Sequence, residues 1–94
     1  MYWLLFYDLV DDYLDRRAPL REEHLGLAND HLERGELVLA GALADPADQA
    51  VLVFRTDDPA TVERFVQRDP YVANGLVKRW TIRQWTVVID ETKG

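Results

Sequence analysis

The segment that most restricts the fold of this chain is its first apolar run, YWLLFYDLV at residues 2–10. Bulky aliphatic and aromatic residues in such a run are typical of a β-strand. Side chains alternate between the two faces of a strand, and here both sets are apolar: Tyr2, Leu4 and Phe6 on one face, and Trp3, Leu5, Tyr7 and Leu9 on the other. Such a strand needs cover on both sides, because a strand surface that meets water is normally polar.

The rest of the chain predicts helices and further strands in a definite order. We expect a loop at 11–19 that ends in Pro19, a helix at 20–34 closed by Gly35, strands at 36–44 and 50–55 joined by a turn, a second helix that opens at 57–59 and ends at Pro70, and a last strand at 76–89. The order βαββαβ is that of the ferredoxin-like α+β fold, an antiparallel four-stranded sheet with both helices on one face. The length of 94 residues predicts a single domain over residues 1–94.

The apolar positions within these elements predict which surfaces are buried. In the first helix they form one broad face made of Leu20, Leu25, Leu27, Ala28 and Leu32. In the second helix they form a stripe made of Val62, Phe65 and Val66. In the last strand the apolar phase switches between Ile82 and Trp85, which predicts a β-bulge or a change of partner strand at that point.

The sheet face opposite the helices is predicted to be apolar as well. The runs at 36–44 and 50–55 are apolar in both phases, like the first strand. An exposed apolar surface of that size favours association. We therefore predict a homodimer in which two sheets pack face to face as a dimeric α/β barrel. The alternative is a monomer with an apolar surface.

Composition excludes several classes of function. The formal net charge of −6 and the absence of a long basic stretch argue against nucleic acid as a partner. The chain has no cysteine, which excludes disulfides, thiolate metal sites and a cysteine nucleophile and suits a cytoplasmic protein. The first apolar run has no basic residue before it and contains Asp8, so it predicts neither a signal peptide nor a membrane span.

Three polar residues occupy positions where apolar side chains are expected. His24 and Arg21 lie within the apolar arc of the first predicted helix. Asp69 continues the buried stripe of the second helix, at a helix end where the dipole disfavours negative charge. Arg21 can extend to solvent, whereas His24 is short and needs a buried partner. Since both helices cover the same face of the sheet, we expect His24 and Asp69 to meet.

A His–Asp pair in a cleft has a definite chemical use. The carboxylate fixes the imidazole tautomer, and the second ring nitrogen acts as an acid or base. Tyr7 is expected to line the cleft from the first strand, and Tyr71 to shape its wall. A purely structural pair is the alternative. His31 lies two helical turns from His24, too far for one metal ion to bind both, so we interpret His31 as structural and predict no metal site.

Three motifs resemble the YciI-like (YCII-related) family: LREEHL at 20–25, AGAL at 40–43 and DPYVANGLV at 69–77. The resemblance spans nearly the whole chain, and the aspartate–proline–aromatic motif is its most specific part. It implies a ferredoxin-like, dimeric α/β-barrel protein related to muconolactone isomerases, with His24 and Asp69 in a pocket. It implies no cofactor. One branch of the family resembles dehydrochlorinases, which remove HCl from chlorinated hydroxylated aromatics or lactones.

The sequence leaves three functions open. The first is a small cofactor-independent lyase or isomerase, in which His24 and Asp69 move a proton on a small acidic or phenolic molecule bound by Arg21, Tyr7 and Tyr71. The second is a non-catalytic module that binds a small molecule in the same pocket. The third is a structural dimer in which the pair contributes only to stability.

Overall fold

A computed structural model describes residues 1–92 of the chain. The elements in chain order are the strand β1 (Tyr2–Leu9), the helix α1 (Tyr13–Arg16), a 3₁₀ turn (Ala18–Leu20), the helix α2 (Arg21–Glu33), the strands β2 (Leu37–Ala42) and β3 (Gln49–Arg55), the helices α3 (Ala60–Arg68) and α4 (Pro70–Ala73), and the strand β4 (Val77–Trp85). The four strands form one antiparallel sheet in the order β2-β3-β1-β4. The predicted ferredoxin-like α+β fold is confirmed.

Strand β1 lies in the middle of the sheet and carries the centre of the core. Leu5, Tyr7 and Leu9 are no more than 1% exposed, and β1 pairs with both β3 and β4. From α3, Phe65 packs edge to face against Phe54 of β3, with ring centroids 5.3 Å apart. Burial of an aromatic or aliphatic side chain of this size stabilises a fold by about 1.5–3 kcal/mol. One phase of the first apolar run therefore faces the helices, as its pattern predicts.

The other phase of β1 forms a surface that we call the open face, made of Leu4, Phe6, Val51 and Val53 on the central strands β1 and β3. In the sheet register Leu4 lies opposite Val53, and Phe6 lies opposite Val51. Three of these residues are only partly buried within one chain, and Val53 is 7% exposed. The described helices pack on the opposite side of the sheet, against Leu5 and Tyr7, so the open face is an apolar surface that a single chain leaves partly exposed.

Helix α2 matches its predicted bounds to within one residue, but its buried face differs from the prediction. The helix ends at Gly35, whose φ of +77° is the left-handed conformation that glycine adopts readily. Leu25 and Leu32 are 42% and 49% exposed, whereas His31 is 4% exposed. The helix is rotated so that the side with Leu27, Ala28 and His31 meets the core. The two exposed leucines belong to the wall of a cavity described below.

The segment predicted as a loop at 11–19 contains the one-turn helix α1 and the 3₁₀ turn that holds Pro19. Tyr13 is responsible for this order, because its side chain is 5% exposed and packs edge to face on Tyr71 with ring centroids 5.7 Å apart. A buried aromatic anchor therefore fixes a segment whose composition is mostly polar.

The last strand is shorter than predicted. β4 ends at Trp85, which lies opposite Tyr2, the first residue of its partner strand β1. Beyond that point no strand in the described residues is available for pairing, and Val88 and Ile89 are 76% and 81% exposed. The predicted irregularity between Ile82 and Trp85 is also wrong. The register shifts near the start of β4, where Asp8 pairs with Arg79 and Leu9 with Val77.

The second helix begins close to its predicted start at 57–59, since α3 starts at Ala60. The Oδ1 atom of Asp58 accepts a hydrogen bond from the backbone N–H of Ala60 at 3.0 Å, at the first residue of α3. Within residues 1–92, none of the helices has the length and apolar character needed to cross a membrane.

Candidate active site

Asp69 lies at the junction of two helices, as the C-cap of α3 and the N-cap of α4. It follows the last residue of α3 with an extended backbone (φ −72°, ψ 118°) and precedes Pro70, the first residue of α4. Its Oδ1 atom accepts a hydrogen bond from the backbone N–H of Tyr71 at 3.0 Å, so the side chain caps α4. The prediction of an unfavourable helix end is therefore incomplete. Pro70 does end α3, but it also begins a second helix, in which the backbone N–H of Tyr71 binds the carboxylate.

The carboxylate of Asp69 is fully buried, with 0% of its surface exposed. Besides the Tyr71 N–H, Oδ1 lies 2.8 Å from Nδ1 of His24 on α2. The hydroxyl of Tyr7 on β1 donates to Oδ2 at 2.8 Å. A buried carboxylate is tolerated only when it is well hydrogen-bonded. Three donors from three separate elements therefore hold this group in one orientation.

His24 lies on the cavity side of Asp69, and 15% of its side chain is exposed. Its ring stacks on that of Tyr71, with centroids 3.8 Å apart and an angle of 9° between the planes. A carboxylate accepts hydrogen bonds, so we assign the hydrogen to Nδ1 and the free lone pair to Nε2. No residue in the described part of the chain hydrogen-bonds to Nε2. The ring is thus fixed on one side and free to bind a ligand on the other.

A cavity of about 390 Å³ lies next to His24, between α2 and the edge strand β2. Aliphatic residues of these two elements make up much of its wall, including Leu25, Ala28 and Leu32. Tyr7 and Tyr71 line it near His24, and Arg21 lines it at the start of α2. Small-molecule sites usually have volumes of about 300–1,000 Å³, and this cavity lies near the lower end of that range. The cavity can therefore hold a small organic molecule beside an imidazole.

The structure brings all five predicted site residues together, but Tyr7 differs in detail from the prediction. Tyr7 lines the cavity, yet its hydroxyl is bonded to Asp69. Burial, followed by the neighbouring Asp69 carboxylate, raises the pKa of Tyr7 far above its ordinary value. The phenol therefore stays protonated and donates to the carboxylate. Burial also raises the pKa of Tyr71, whose hydroxyl makes no hydrogen bond to a described residue.

Two further cavity residues, Tyr13 and Arg17, were missed from the sequence. Both come from the segment predicted as a loop. The Arg17 guanidinium lies over the ring of Tyr13, 5.4 Å from its centroid. Their spacing of four residues, which places two side chains on one side of a helical turn, is the signal that could have identified them.

His31 lies outside the cavity, within the core. Its ring packs edge to face against Phe65 at 5.4 Å and Phe54 at 6.0 Å. Nδ1 lies 2.9 Å from a carboxylate oxygen of Glu36. Burial, followed by the positive charge of Arg34, lowers the pKa of His31. Within residues 1–92, no three side chains of the metal-binding types are close enough to hold an ion.

Comparison with known proteins identifies relatives of this fold. The sequence model of the YCII-related domain matches residues 1–86. A similar solved structure is 5-chloro-2-hydroxyhydroquinone dehydrochlorinase (TftG) from Burkholderia phenoliruptrix AC1100 in complex with 2,5-dihydroxybenzoquinone. It has a TM-score of 0.75 and 18% sequence identity, over 92% of this chain and 94% of the other.

Two further solved structures have lower similarity. An antibiotic biosynthesis monooxygenase has a TM-score of 0.57 at 13% identity, over 95% of this chain and 100% of the other. A NIPSNAP family protein from Agrobacterium tumefaciens strain C58 has a TM-score of 0.56 at 15% identity, over 87% of both chains. No curated protein sequence matches this chain. At these identities the solved structures establish the fold and leave the reaction open.

Proposed function

Because the chain belongs to the YCII-related domain family, we propose that it is a small enzyme of the lyase or isomerase type. His24 acts as the general acid or base on a small acidic or phenolic molecule, and Asp69 positions it. The observation that carries this proposal is the asymmetry of the imidazole. Nδ1 binds a fully buried carboxylate at 2.8 Å, while the same side chain lines a cavity through which Nε2 can meet a ligand.

The proposed reaction begins when Nε2 of His24 accepts a proton from a C–H or O–H group of the ligand. The imidazolium that forms is stabilised by the Asp69 carboxylate on its other nitrogen, which stays in place because Tyr7 and the Tyr71 N–H also bind it. In a lyase, the electron pair released by the proton forms a new double bond as a leaving group departs with its own pair. In an isomerase, His24 returns the proton to a different atom of the same molecule.

The similarity to the dehydrochlorinase favours the lyase form of this proposal. The structural match to that protein covers 92% of this chain, and that structure contains 2,5-dihydroxybenzoquinone. Loss of HCl requires a base for the proton and an exit for chloride, and it needs no redox cofactor. A chlorinated hydroxylated aromatic compound is therefore a suitable first substrate class to assay. The reaction itself depends on the site of this chain and must be measured here.

We also propose that the working form is a homodimer. The open face is apolar at Leu4, Phe6, Val51 and Val53, and three of these residues are only partly buried in a single chain. Apolar sheet surfaces of this kind are normally covered in soluble proteins. Packing of two open faces around a twofold axis covers both at once, because the interface is self-complementary.

The test combines ligand screening with turnover. Wild type and His24→Asn are screened by thermal shift against small carboxylic acids and phenols, including chlorinated hydroquinones, and chloride release is assayed with the chlorinated compounds. Glu23→Gln, an exposed change on the same helix, is the matched control. The proposal is supported if wild type and Glu23→Gln turn over a compound and His24→Asn does so at least about 100-fold more slowly. His24→Asn should still bind that compound.

Two outcomes contradict the proposed function. Equal turnover in wild type and His24→Asn removes the imidazole from the mechanism. Tight binding by wild type without conversion of any compound in the panel identifies a binding module instead of an enzyme. Circular dichroism of each variant separates these results from a loss of folding.

A further inference from the structure

We propose that Arg17 and Arg21 form a carboxylate-binding pair at the mouth of the cavity, so that the ligand is a small carboxylic acid and not a neutral phenol. This inference rests on the proposed function in one respect only, since it concerns the same cavity. It assigns Arg17, a residue that neither the sequence motifs nor the His–Asp pair indicates, to the selection of the ligand.

The charge of the cavity is opposite to the charge of the chain. The protein has 17 acidic and 11 basic residues other than histidine, and a formal net charge of −6. The described residues that line the cavity nevertheless include Arg17, Arg21 and His24 and no Asp or Glu. Asp69 is fully buried behind His24 and is not part of the lining. The cavity is thus a positive site on a negative protein, which favours an anionic ligand.

The two cavity arginines have no carboxylate partner of their own. Among the side chains of residues 1–92, none of the ion pairs or hydrogen bonds includes the guanidinium of Arg17 or Arg21. Arg16 is different, since it binds the carbonyl oxygen of Asn74 at 3.1 Å and lies 3.7 Å from the Asp12 carboxylate. In a chain with an excess of acids, two unpaired guanidinium groups beside one cavity are available for an anion from outside.

A series of ring contacts connects Arg17 to the proposed acid–base group. The guanidinium of Arg17 lies over Tyr13, and Tyr13 packs edge to face on Tyr71 at 5.7 Å. Tyr71 in turn stacks on His24 at 3.8 Å. These contacts fix Arg17 relative to His24 without a direct bond between them. An anion at Arg17 therefore has a defined position relative to Nε2.

Arg21 lines the same cavity as Arg17 and Tyr71. The positive charges of Arg21 and Arg17 both oppose the rise in the pKa of Tyr71 that burial causes. Both guanidinium groups therefore act on one phenol, whose hydroxyl makes no hydrogen bond to a described residue. In this proposal the arginines and this hydroxyl, which all line the same cavity, bind one anionic group through their N–H and O–H groups.

The rest of the cavity wall favours a carboxylate over a phosphate. A guanidinium forms two parallel hydrogen bonds with a carboxylate. Beyond the arginines, the α2 side of the wall is aliphatic at Leu25, Ala28 and Leu32, and its polar residues are His24 and Asn29. Inorganic phosphate has no apolar part to occupy the aliphatic wall, whereas a carboxylic acid binds the arginines through one end and leaves the remainder of the molecule to that wall.

The experiment measures binding by isothermal titration and needs no turnover. The probes are benzoate and 2-hydroxybenzoate, their neutral amides, phenol and inorganic phosphate, each titrated into wild type, Arg17→Gln, Arg21→Gln and the double variant. Arg64→Gln removes the same charge from α3, away from the cavity lining, and is the matched control. We expect the carboxylates to bind wild type and Arg64→Gln at least about 10-fold more tightly than they bind either single variant. Neutral phenol should bind all five proteins equally.

Several results overturn the inference. The inference is wrong if wild type binds the carboxylates no more tightly than their amides, or binds no carboxylate at millimolar concentration. It is also wrong if the arginine variants bind carboxylates as tightly as Arg64→Gln does, or if wild type binds phosphate as tightly as benzoate. The proposed function is tested separately, and it is rejected if His24→Asn turns over substrate as fast as wild type. His24→Asn should keep its affinity for benzoate even though it loses turnover. Conversion of a neutral phenol by wild type, with no preference for carboxylates, would sustain the proposed function and reject this inference.

Discussion

Asp69 and Tyr71, two residues apart in the chain, hold His24 from two directions. Oδ1 of Asp69 lies 2.8 Å from Nδ1 of the imidazole, and the ring of Tyr71 stacks on its face at 3.8 Å. The same Oδ1 atom accepts the backbone N–H of Tyr71 at 3.0 Å, which fixes the two residues relative to each other. The orientation of the imidazole is therefore set by one turn of chain at the junction of α3 and α4.

Removal of the buried carboxylate should strongly destabilise the protein. Asp69→Ala leaves Tyr7, His24 and the Tyr71 N–H without their acceptor in a site with 0% exposure. We expect the free energy of unfolding to fall by about 3–5 kcal/mol in urea titrations. Asp11→Ala, which removes an exposed carboxylate, should change it by less than about 0.5 kcal/mol. Equal effects of the two substitutions would show that the three hydrogen bonds contribute nothing to stability.

Tyr7→Phe tests a single hydrogen bond of this network. The substitution removes the hydroxyl that donates to Oδ2 of Asp69 at 2.8 Å and keeps the buried ring. A hydrogen bond to a charged group contributes about 1.5–3 kcal/mol, so urea unfolding should show a loss of that size. Tyr2→Phe, at the outer end of the same strand, is the control. If Tyr7→Phe is as stable as wild type, Asp69 is held by the other two donors alone.

His31 should make stability depend on pH. Burial and Arg34 lower the pKa of His31 from its ordinary value of 6.5, although Glu36 opposes this. Below pH 6.5 the unfolded chain binds a proton that folded His31 does not yet bind, so stability falls as the pH decreases from 6.5 towards the lowered pKa. In His31→Gln, the decline in the free energy of unfolding between about pH 7.5 and 5 should be shallower. An unchanged slope would contradict this assignment.

The open face should determine the oligomeric state. Phe6→Lys places a charge in the middle of the apolar surface, where a second copy is proposed to pack, and it leaves the core on the other side of β1 intact. We expect sedimentation to give a mass near that of one 10.9 kDa chain for this variant and twice that mass for wild type. Glu63→Lys, an exposed change on α3, should leave the mass unchanged. A monomeric wild type would refute the proposed dimer.

The parts of the fold that follow from local pattern were predictable. Apolar residues in both phases of β1 indicate a central strand, and the order of the elements leads to the ferredoxin-like fold. The contact of His24 with Asp69 was predicted from their expected positions on the buried sides of two helices that cover the same face of one sheet. Periodicity placed the central strand correctly, whereas α2 is rotated from its predicted face and Asp69 lies just beyond the end of α3.

The parts that were missed depend on contacts between distant segments. α1 is a single turn, too short to show a period, and the four-residue spacing of Tyr13 and Arg17 does not by itself show that they face a cavity. The end of β4 at Trp85 is set by the start of β1, at the other end of the chain. The strand pattern places Tyr7 on the helix side, but it does not reveal that the hydroxyl reaches Asp69.

The double use of Asp69 affects how this protein can change over generations. Because one carboxylate both caps a helix and binds the imidazole, selection for folding alone is sufficient to retain it. The guanidinium groups of Arg17 and Arg21 make no ion pair or hydrogen bond within the described residues, so folding places fewer demands on them. In a relative, we therefore expect the aspartate to persist with the fold, whereas the residues at these two positions can vary.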